Sequence, residues 1–209
     1  MTVHAIVLPG GSYRNHAAHE AEPVARWLAG LGLASSVLRY PTNTLHPAAH
    51  DAIRDRISRV RADGAERVIV IGFSAGGHAA GLAALDQRSD SRVDAALLGY
   101  PVVSLVRHVH EATAETLAGP ESGSTLRSAL SLESVVTPIA PPMFLFHALD
   151  DEKVSPEHTF LLSAALRAHR RPHELVVFPT GGHGFALGGP DQPWLPLAEA
   201  WLTGLELLL

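Results

Sequence analysis

Hydrophobic residues run through this chain in short β-rich bursts, each followed by a stretch with helical spacing. Residues 4–8, 36–40, 67–72, 95–100, 143–147 and 174–178 read as strands. Residues 20–31, 47–62, 76–84, 157–168 and 196–208 read as helices. Regular alternation of this kind predicts an α/β fold: a mostly parallel six-stranded sheet with helices on both faces, a three-layer sandwich. Ser155 ahead of Pro156 and Glu157 has the form of a cap followed by proline in the first helical turn, and marks the start of the 157–168 helix. Residues 101–142 break the rhythm, being long for a plain connection and carrying Gly119, Pro120, Gly123, Pro138, Pro141 and Pro142 among short amphipathic pieces. That segment reads either as a lid over a site or as an irregular insertion that covers a sheet edge and meets no substrate. The leucine-rich run 205–209 reads as a helix end docked on the core, and Trp194 and Trp201 as packing residues.

Composition narrows the class. The 209 residues are 46% hydrophobic, enough for a sizeable core, and suit one α/β domain spanning 1–209 better than two. No apolar run approaches the roughly 20 residues that span a bilayer. The first strand starts near His4, leaving no room for an export signal, so a cytoplasmic location is expected. With no cysteine there is no disulfide, thiolate chemistry or cysteine-based zinc site. A formal charge of -5 with scattered arginines offers no footprint for nucleic acid or an anionic membrane, so the expected partner is a small molecule.

The chemistry centres on Ser74. Val68-Ile69-Val70-Ile71 leads into Gly72-Phe73-Ser74-Ala75-Gly76-Gly77-His78 and then into small residues with helical character. A glycine-flanked serine between a strand and a helix is the form of a nucleophile elbow, in which the hydroxyl stands proud of the sheet edge on a strained turn. The pattern alone also fits a turn that merely packs or binds an anion, but the flanking strand and helix are what the elbow requires. A serine hydroxyl needs a base, and the base needs an acid to orient it. Of 13 histidines, His183 sits between Gly182 and Gly184 in a loop after the last strand. Asp150 and Asp151 lie just past the end of the strand 143–147, where catalytic groups collect in open α/β sheets. Asp151 is preferred over Asp150 because its spacing to Val154 gives D-x-x-V. The chain order Ser74, Asp151, His183 is that of α/β-hydrolases. Pro9-Gly10-Gly11-Ser12-Tyr13 follows the first strand, which points to the amides of Gly11 and Ser12, with that of Ala75, as oxyanion donors, and to Tyr13 as a pocket residue. His46 with His50 and His108 with His110 have spacings a metal could use, but lack a third ligand pattern and read as surface residues; no metal or cofactor is expected. His78 reads as bonded to nearby backbone or acid rather than as a proton carrier.

Taken together these motifs resemble the acetylxylan esterase-like and feruloyl-esterase-like branch of the α/β-hydrolase superfamily. The resemblance spans most of the chain: the PGGSY loop, Glu20 as the following acid, GFSAGGH at 72–78, Pro141-Pro142, H-x-x-D-D-x-x-V from His147 to Val154, and GGHGF at 181–185 occur in order. Ser12 stands where the third glycine of the loop is usual. The resemblance implies a serine esterase with Ser74 as nucleophile, Asp151 as orienting acid and His183 as base, acting on small acyl esters, often acetyl groups on sugars. A peptidase of the prolyl-oligopeptidase type or an arylformamidase would use the same three residues, and a non-catalytic small-molecule receptor would use the same fold.

Overall fold

The computed structural model describes residues 1–86, 88–187 and 193–208. Strands β1 (Val3–Leu8), β2 (Ala34–Val37), β3 (Arg67–Phe73), β4 (Ala95–Gly99), β5 (Met143–Ala148) and β6 (His173–Phe178) form one sheet in the order β2-β1-β3-β4-β5-β6. Every neighbouring pair is parallel. The helices are α1 (Glu22–Gly30), α2 (Ala48–Ala62), α3 (Ala75–Leu85), α4 (Glu111–Ala118), α5 (Ser124–Ala129), α6 (Glu157–Ala168) and α7 (Trp194–Gly204).

Alternation along the central strands builds the layers, because successive side chains leave a strand on opposite faces. On one face Ile6, Leu8, Val68, Val70, Leu98 and Leu145 join Ile53 and Ile57 of α2, Ala80 of α3 and Leu162 of α6 in one buried cluster. On the other, Val7, Ile69, Ile71, Leu97, Phe144 and Phe146 meet Val24 and Leu28 of α1 and Trp194, Trp201 and Leu202 of α7. Burying each large apolar side chain contributes on the order of 1.5–3 kcal/mol, so these two clusters carry most of the driving force. Trp194 stacks on Phe146 with ring centroids 4.7 Å apart. The result is the α/β-hydrolase fold.

Strand order positions the site. After β1 the chain steps outward to β2, then returns across to β3 on the other side of β1. The loops leaving β1 and β3 therefore part from each other at the carboxyl edge, opening the crevice in which ligands of such sheets bind.

Three elements differ from the sequence reading by more than one residue at an end. β2 pairs at Ala34–Val37 rather than 36–40, because Tyr40 leaves the sheet edge, buries its ring and donates its hydroxyl to the Pro9 carbonyl at 2.7 Å. α1 starts at Glu22, and residues Ala18–Glu20 form a separate 3₁₀ turn, which places Glu20 ahead of the helix. α7 begins at Trp194, with Pro196 in its first turn where a missing N–H costs nothing, and ends at Gly204. Leu207 packs on the core beyond it, while Leu209 lies outside the described residues. No helix among the described residues is long and apolar enough to cross a membrane.

The irregular segment 101–142 contains α4 and α5, and two buried histidines hold it. His158 of α6 accepts the amides of Val103 and Ser104 at Nδ1, both at 3.0 Å, and its Nε2 donates to the His108 carbonyl at 2.9 Å. His78 of α3 donates from Nε2 to the Leu130 carbonyl at 2.7 Å and accepts the Tyr13 hydroxyl at Nδ1. Both rings thus work as neutral imidazoles. Burial, the main cause, lowers the pKa of each from 6.5 to about 4. A folded-state pKa below the unfolded value means that the unfolded chain binds the extra proton, so this stability is complete above about pH 6.5 and is lost as pH falls towards 4. A shift of this size corresponds to roughly 3 kcal/mol per ring at full development. We predict that the urea midpoint falls between about pH 7 and about pH 5, and that His158→Gln makes the fall shallower; a midpoint flat across that range in the unmodified chain would exclude this linkage.

Candidate active site

Ser74 joins β3 to α3 with φ 54° and ψ -122°, a left-handed backbone that a serine adopts only under constraint. Close approach of two backbones supplies the constraint. A Cβ on Gly72 would lie 2.2 Å from the Gly76 carbonyl oxygen, and one on Gly76 would lie 2.1 Å from the Leu8 and 2.5 Å from the Pro9 carbonyl oxygen. The first turn of α3 therefore rests directly on the end of β1. The Ser74 amide donates to Gly99 of β4 at 3.0 Å, which fixes the turn from the other side.

His183, in the loop after β6, sets Nε2 2.9 Å from the Ser74 hydroxyl oxygen and Nδ1 2.7 Å from Oδ2 of Asp151. Asp151 is 5% exposed in the loop after β5. Its Oδ1 accepts the amides of Lys153 and Val154 at 2.9 and 3.0 Å, and His147 brings Nε2 to within 3.1 Å of Oδ2. Burial pushes the Asp151 pKa up, but the hydrogen bonds from His147, His183 and Val154, with the charge available on His183, outweigh it and hold the carboxyl well below the usual range. An ionised Asp151 requires the His183 proton on Nδ1, leaving Nε2 free to accept the serine proton. Asp150, the alternative acid, instead accepts the Gly182 amide at 2.8 Å and so pins the loop that carries the histidine.

Opposite His183, the loop after β1 coils tightly. Gly11, Ser12 and Tyr13 all have positive φ, at 128°, 56° and 59°. Two successive non-glycine residues in that region cost of order 1–2 kcal/mol each, and the surroundings enforce it. The Gly11 carbonyl accepts the amides of Arg14 and Asn15, and the Tyr13 carbonyl accepts that of Asn43. Among the described residues the amides of Gly11 and Ser12 donate to no other group. Ala75, at the first position of α3, likewise has an amide that the helix leaves free.

Tyr13 does not line the cleft, contrary to the sequence reading. It is 2% exposed, with its ring against Tyr40 and its hydroxyl 2.9 Å from His78 Nδ1. Its contacts with Tyr40 and His78 hold it beneath the loop, which it supports from below. Both histidine pairs also need correction: His46, His50 and His110 are half-buried rather than surface residues, and of these four His108 alone is exposed.

The cleft above Ser74 encloses about 260 Å³, walled by Gly11, Ser12, Ala17 and Gly184 and rimmed by His19, Glu20, His110 and Lys153. A larger depression of about 420 Å³ lies between α2 and α3, around His46, His50 and Asp86, and holds none of Ser74, Asp151 or His183. The sequence pattern gave no site role to His19, His110 or Lys153, which line the cleft, or to Tyr100, buried beside it with its ring 5.0 Å from that of His183. Lys153 carried a signal: it is the chain's single lysine and sits inside the D-D-x-x-V motif. Tyr100 carried a weaker one, a polar-tipped aromatic just past the carboxyl end of a strand. Burial, reinforced by Glu20, pushes its hydroxyl pKa far up, so it remains a proton donor.

The model of the prolyl oligopeptidase family matches residues 53–205. The chain belongs to that family. Within the α/β-hydrolase superfamily it groups with acetylxylan esterase-like members. The crystal structure of an acetyl ester-xyloside bifunctional hydrolase from Caldicellulosiruptor lactoaceticus superposes with a TM-score of 0.95 at 34% identity, over 100% of this chain and 85% of that one. Endo-1,4-beta-xylanase B of Butyrivibrio fibrisolvens is 30% identical over 89% of this chain and 33% of its own length. An acetylxylan esterase of Xylanibacter ruminicola is 26% identical over 87% of this chain and 40% of its own. The chain thus spans well under half the length of these two curated relatives. All of this makes it a hydrolase related to carboxylic ester hydrolases.

The glycine contact at the elbow yields a sharp test for this family member. Helix propensity favours Ala over Gly by about 1 kcal/mol, yet the added methyl at position 76 meets fixed carbonyl oxygens. We predict that Gly76→Ala destabilises the fold by about 2 kcal/mol or more in chemical denaturation; a gain in stability would refute the packing account.

Proposed function

We propose that the chain is a serine carboxylic-ester hydrolase that removes small acyl groups, acetyl first among them, from sugars or short oligosaccharides through an acyl-enzyme. One observation carries this reading: an unbroken hydrogen-bonded chain from the Ser74 hydroxyl through His183 to the ionised Asp151, open to a cleft. In the mechanism Ser74 Oγ attacks the ester carbonyl carbon while His183 Nε2 takes its proton. The carbonyl oxygen, now negative, is held by the amides of Gly11, Ser12 and Ala75. As the tetrahedral species collapses, His183 returns the proton to the departing alcohol oxygen. Water then repeats the sequence: His183 takes its proton, the hydroxyl oxygen bonds to the acyl carbon, and the acid leaves as Ser74 regains its hydrogen. Asp151 stabilises the imidazolium at each stage and keeps the ring in one tautomer.

The substrate class draws on the walls. Gly11, Ser12, Ala17 and Gly184 leave room for a small acyl group and offer no long apolar slot. His19, His110 and Lys153 at the rim suit an alcohol rich in hydroxyls. The relatives point the same way, since two of them are named for acetyl ester or acetylxylan hydrolysis. A chain without cysteine suits a reducing compartment, and the proposal includes a cytoplasmic location.

Hydrolysis of p-nitrophenyl acetate tests the reading. We predict that Ser74→Ala and His183→Ala each lower kcat/KM by at least about 10³-fold, that Asp151→Asn costs a similar factor, and that a fluorophosphonate probe labels Ser74. Rates should fall along the series acetyl, butyryl, octanoyl. Turnover that survives Ser74→Ala removes the mechanism, and faster cleavage of prolyl peptides than of esters replaces it with a peptidase.

A further inference from the structure

Among the described residues Glu20 is the one carboxylate that lines the cleft, and the mechanism above gives it no task. It is 2% exposed. Burying a carboxylate costs several kcal/mol unless its oxygens are well supplied with donors, and among the described residues no arginine or lysine lies within ion-pair distance of it. The His19 imidazole sets Nε2 3.6 Å from Oε1 and nearer, at 3.0 Å, to the Gly184 carbonyl.

What Glu20 does have is two strong neutral donors from different parts of the chain. Oε2 accepts the Gly10 amide at 2.7 Å, and Oε1 accepts the Tyr100 hydroxyl at 2.7 Å. The Tyr100 oxygen in turn accepts the Ala186 amide at 3.2 Å. One carboxylate thereby ties together the loop after β1, the end of β4 and the loop after β6. Both ends of the tie bear on the reacting atoms. Gly10 is so close to the nucleophile that a Cβ on it would lie 2.9 Å from Ser74 Cβ, and the next two amides along, Gly11 and Ser12, are the oxyanion donors. Ala186 lies three residues past His183, and the Tyr100 ring packs edge-on against the His183 imidazole.

The direction of each bond explains why a carboxylate stands here. A carboxylate only accepts, so Gly10 N–H and Tyr100 O–H must both donate to it, and the phenol oxygen is then free to accept from Ala186. A glutamine presents an NH₂ to one of the two: either it faces the Gly10 N–H, or it forces the Tyr100 hydroxyl to turn away and strand its hydrogen. We infer that Glu20 is a positioning residue whose carboxylate, acting through Gly10 on one side and Tyr100 on the other, sets the oxyanion loop and the His183 loop at their working separation across Ser74. The inference rests on the esterase reading. Loops placed this way act on the transition state, where small displacements cost most, rather than on substrate binding.

Glu20→Gln and Tyr100→Phe test it, the second cutting the same chain from its other end in case the first folds poorly. Each should lower kcat on p-nitrophenyl acetate by about 10- to 100-fold with KM within about threefold of the unmodified enzyme. Affinity for a boronic acid, which forms a tetrahedral adduct on Ser74, should fall by the same factor as kcat. The double variant should lose little more than the worse single variant, because both break one chain. Unchanged kcat in folded Glu20→Gln and Tyr100→Phe overturns the inference, as does a raised KM at constant kcat, which would make Glu20 a substrate ligand. If the unmodified chain hydrolyses no ester and its Ser74 resists the fluorophosphonate, the esterase reading itself fails and takes this one with it, so the two failures are told apart by the unmodified protein alone.

Discussion

The resting of α3 on the end of β1 is the contact from which the site grows. Gly76 touches the carbonyl oxygens of Leu8 and Pro9, and Gly72 touches that of Gly76, with no room at either for a methyl group. Three chain segments are therefore packed backbone to backbone at one sheet edge. Ser74 is driven into a left-handed conformation there, and the loop after β1 leaves the sheet within reach of it. Strain at a single serine costs about 1–3 kcal/mol, small against the two apolar clusters that hold β1, β3 and α3 in place. The core sets the position, and the elbow uses it.

Apolar packing does not extend to the rim, so the rim is organised differently. Tyr40 reaches the Pro9 carbonyl, Tyr13 reaches His78, Glu20 holds Gly10, Asp150 holds Gly182, and His19 lies against the Gly184 carbonyl. Each is a directed bond from a side chain to a loop, and most run to backbone groups that no strand or helix satisfies. Directed bonds fix distance and angle together, which apolar contact cannot do, and acid–base chemistry at a serine depends on both.

Much of this was legible in the sequence. The unbroken apolar runs 68–71 and 143–146 located two interior strands because each is buried on both faces. The elbow and the D-x-x-V motif were legible because backbone geometry there admits few residue types. Where tertiary contacts overrode local pattern, the reading failed. Tyr40 looks like the end of a strand but is drawn off to Pro9, and Glu20 looks like the start of a helix but sits in a 3₁₀ turn facing Tyr100, 80 residues away. Tyr13 beside a glycine loop suggests a pocket residue, but its ring packs on Tyr40 and its hydroxyl reaches His78, contacts distant in sequence. The lining by His110 depends on how 101–142 folds back, which no local spacing encodes.

The histidines show how environment, rather than residue type, assigns chemistry. Of 13 in the chain, His78 and His158 are fully buried, and burial holds them neutral so that each can accept at one nitrogen and donate at the other. His183 differs in having a carboxylate behind one nitrogen and a hydroxyl before the other. A proton arriving on its Nε2 is met by the Asp151 charge, whereas one arriving on His158 would face the amides of Val103 and Ser104 with no anion to offset it. On the proposed mechanism the same imidazole is therefore a fixed strut in α6 and a proton carrier at the cleft. The difference lies in Asp151, whose own ionisation depends on His147 and the amide of Val154. Proton transfer at Ser74, as proposed, thus traces back to the turn after β5, which makes the geometry of that turn as consequential for the proposed chemistry as the elbow.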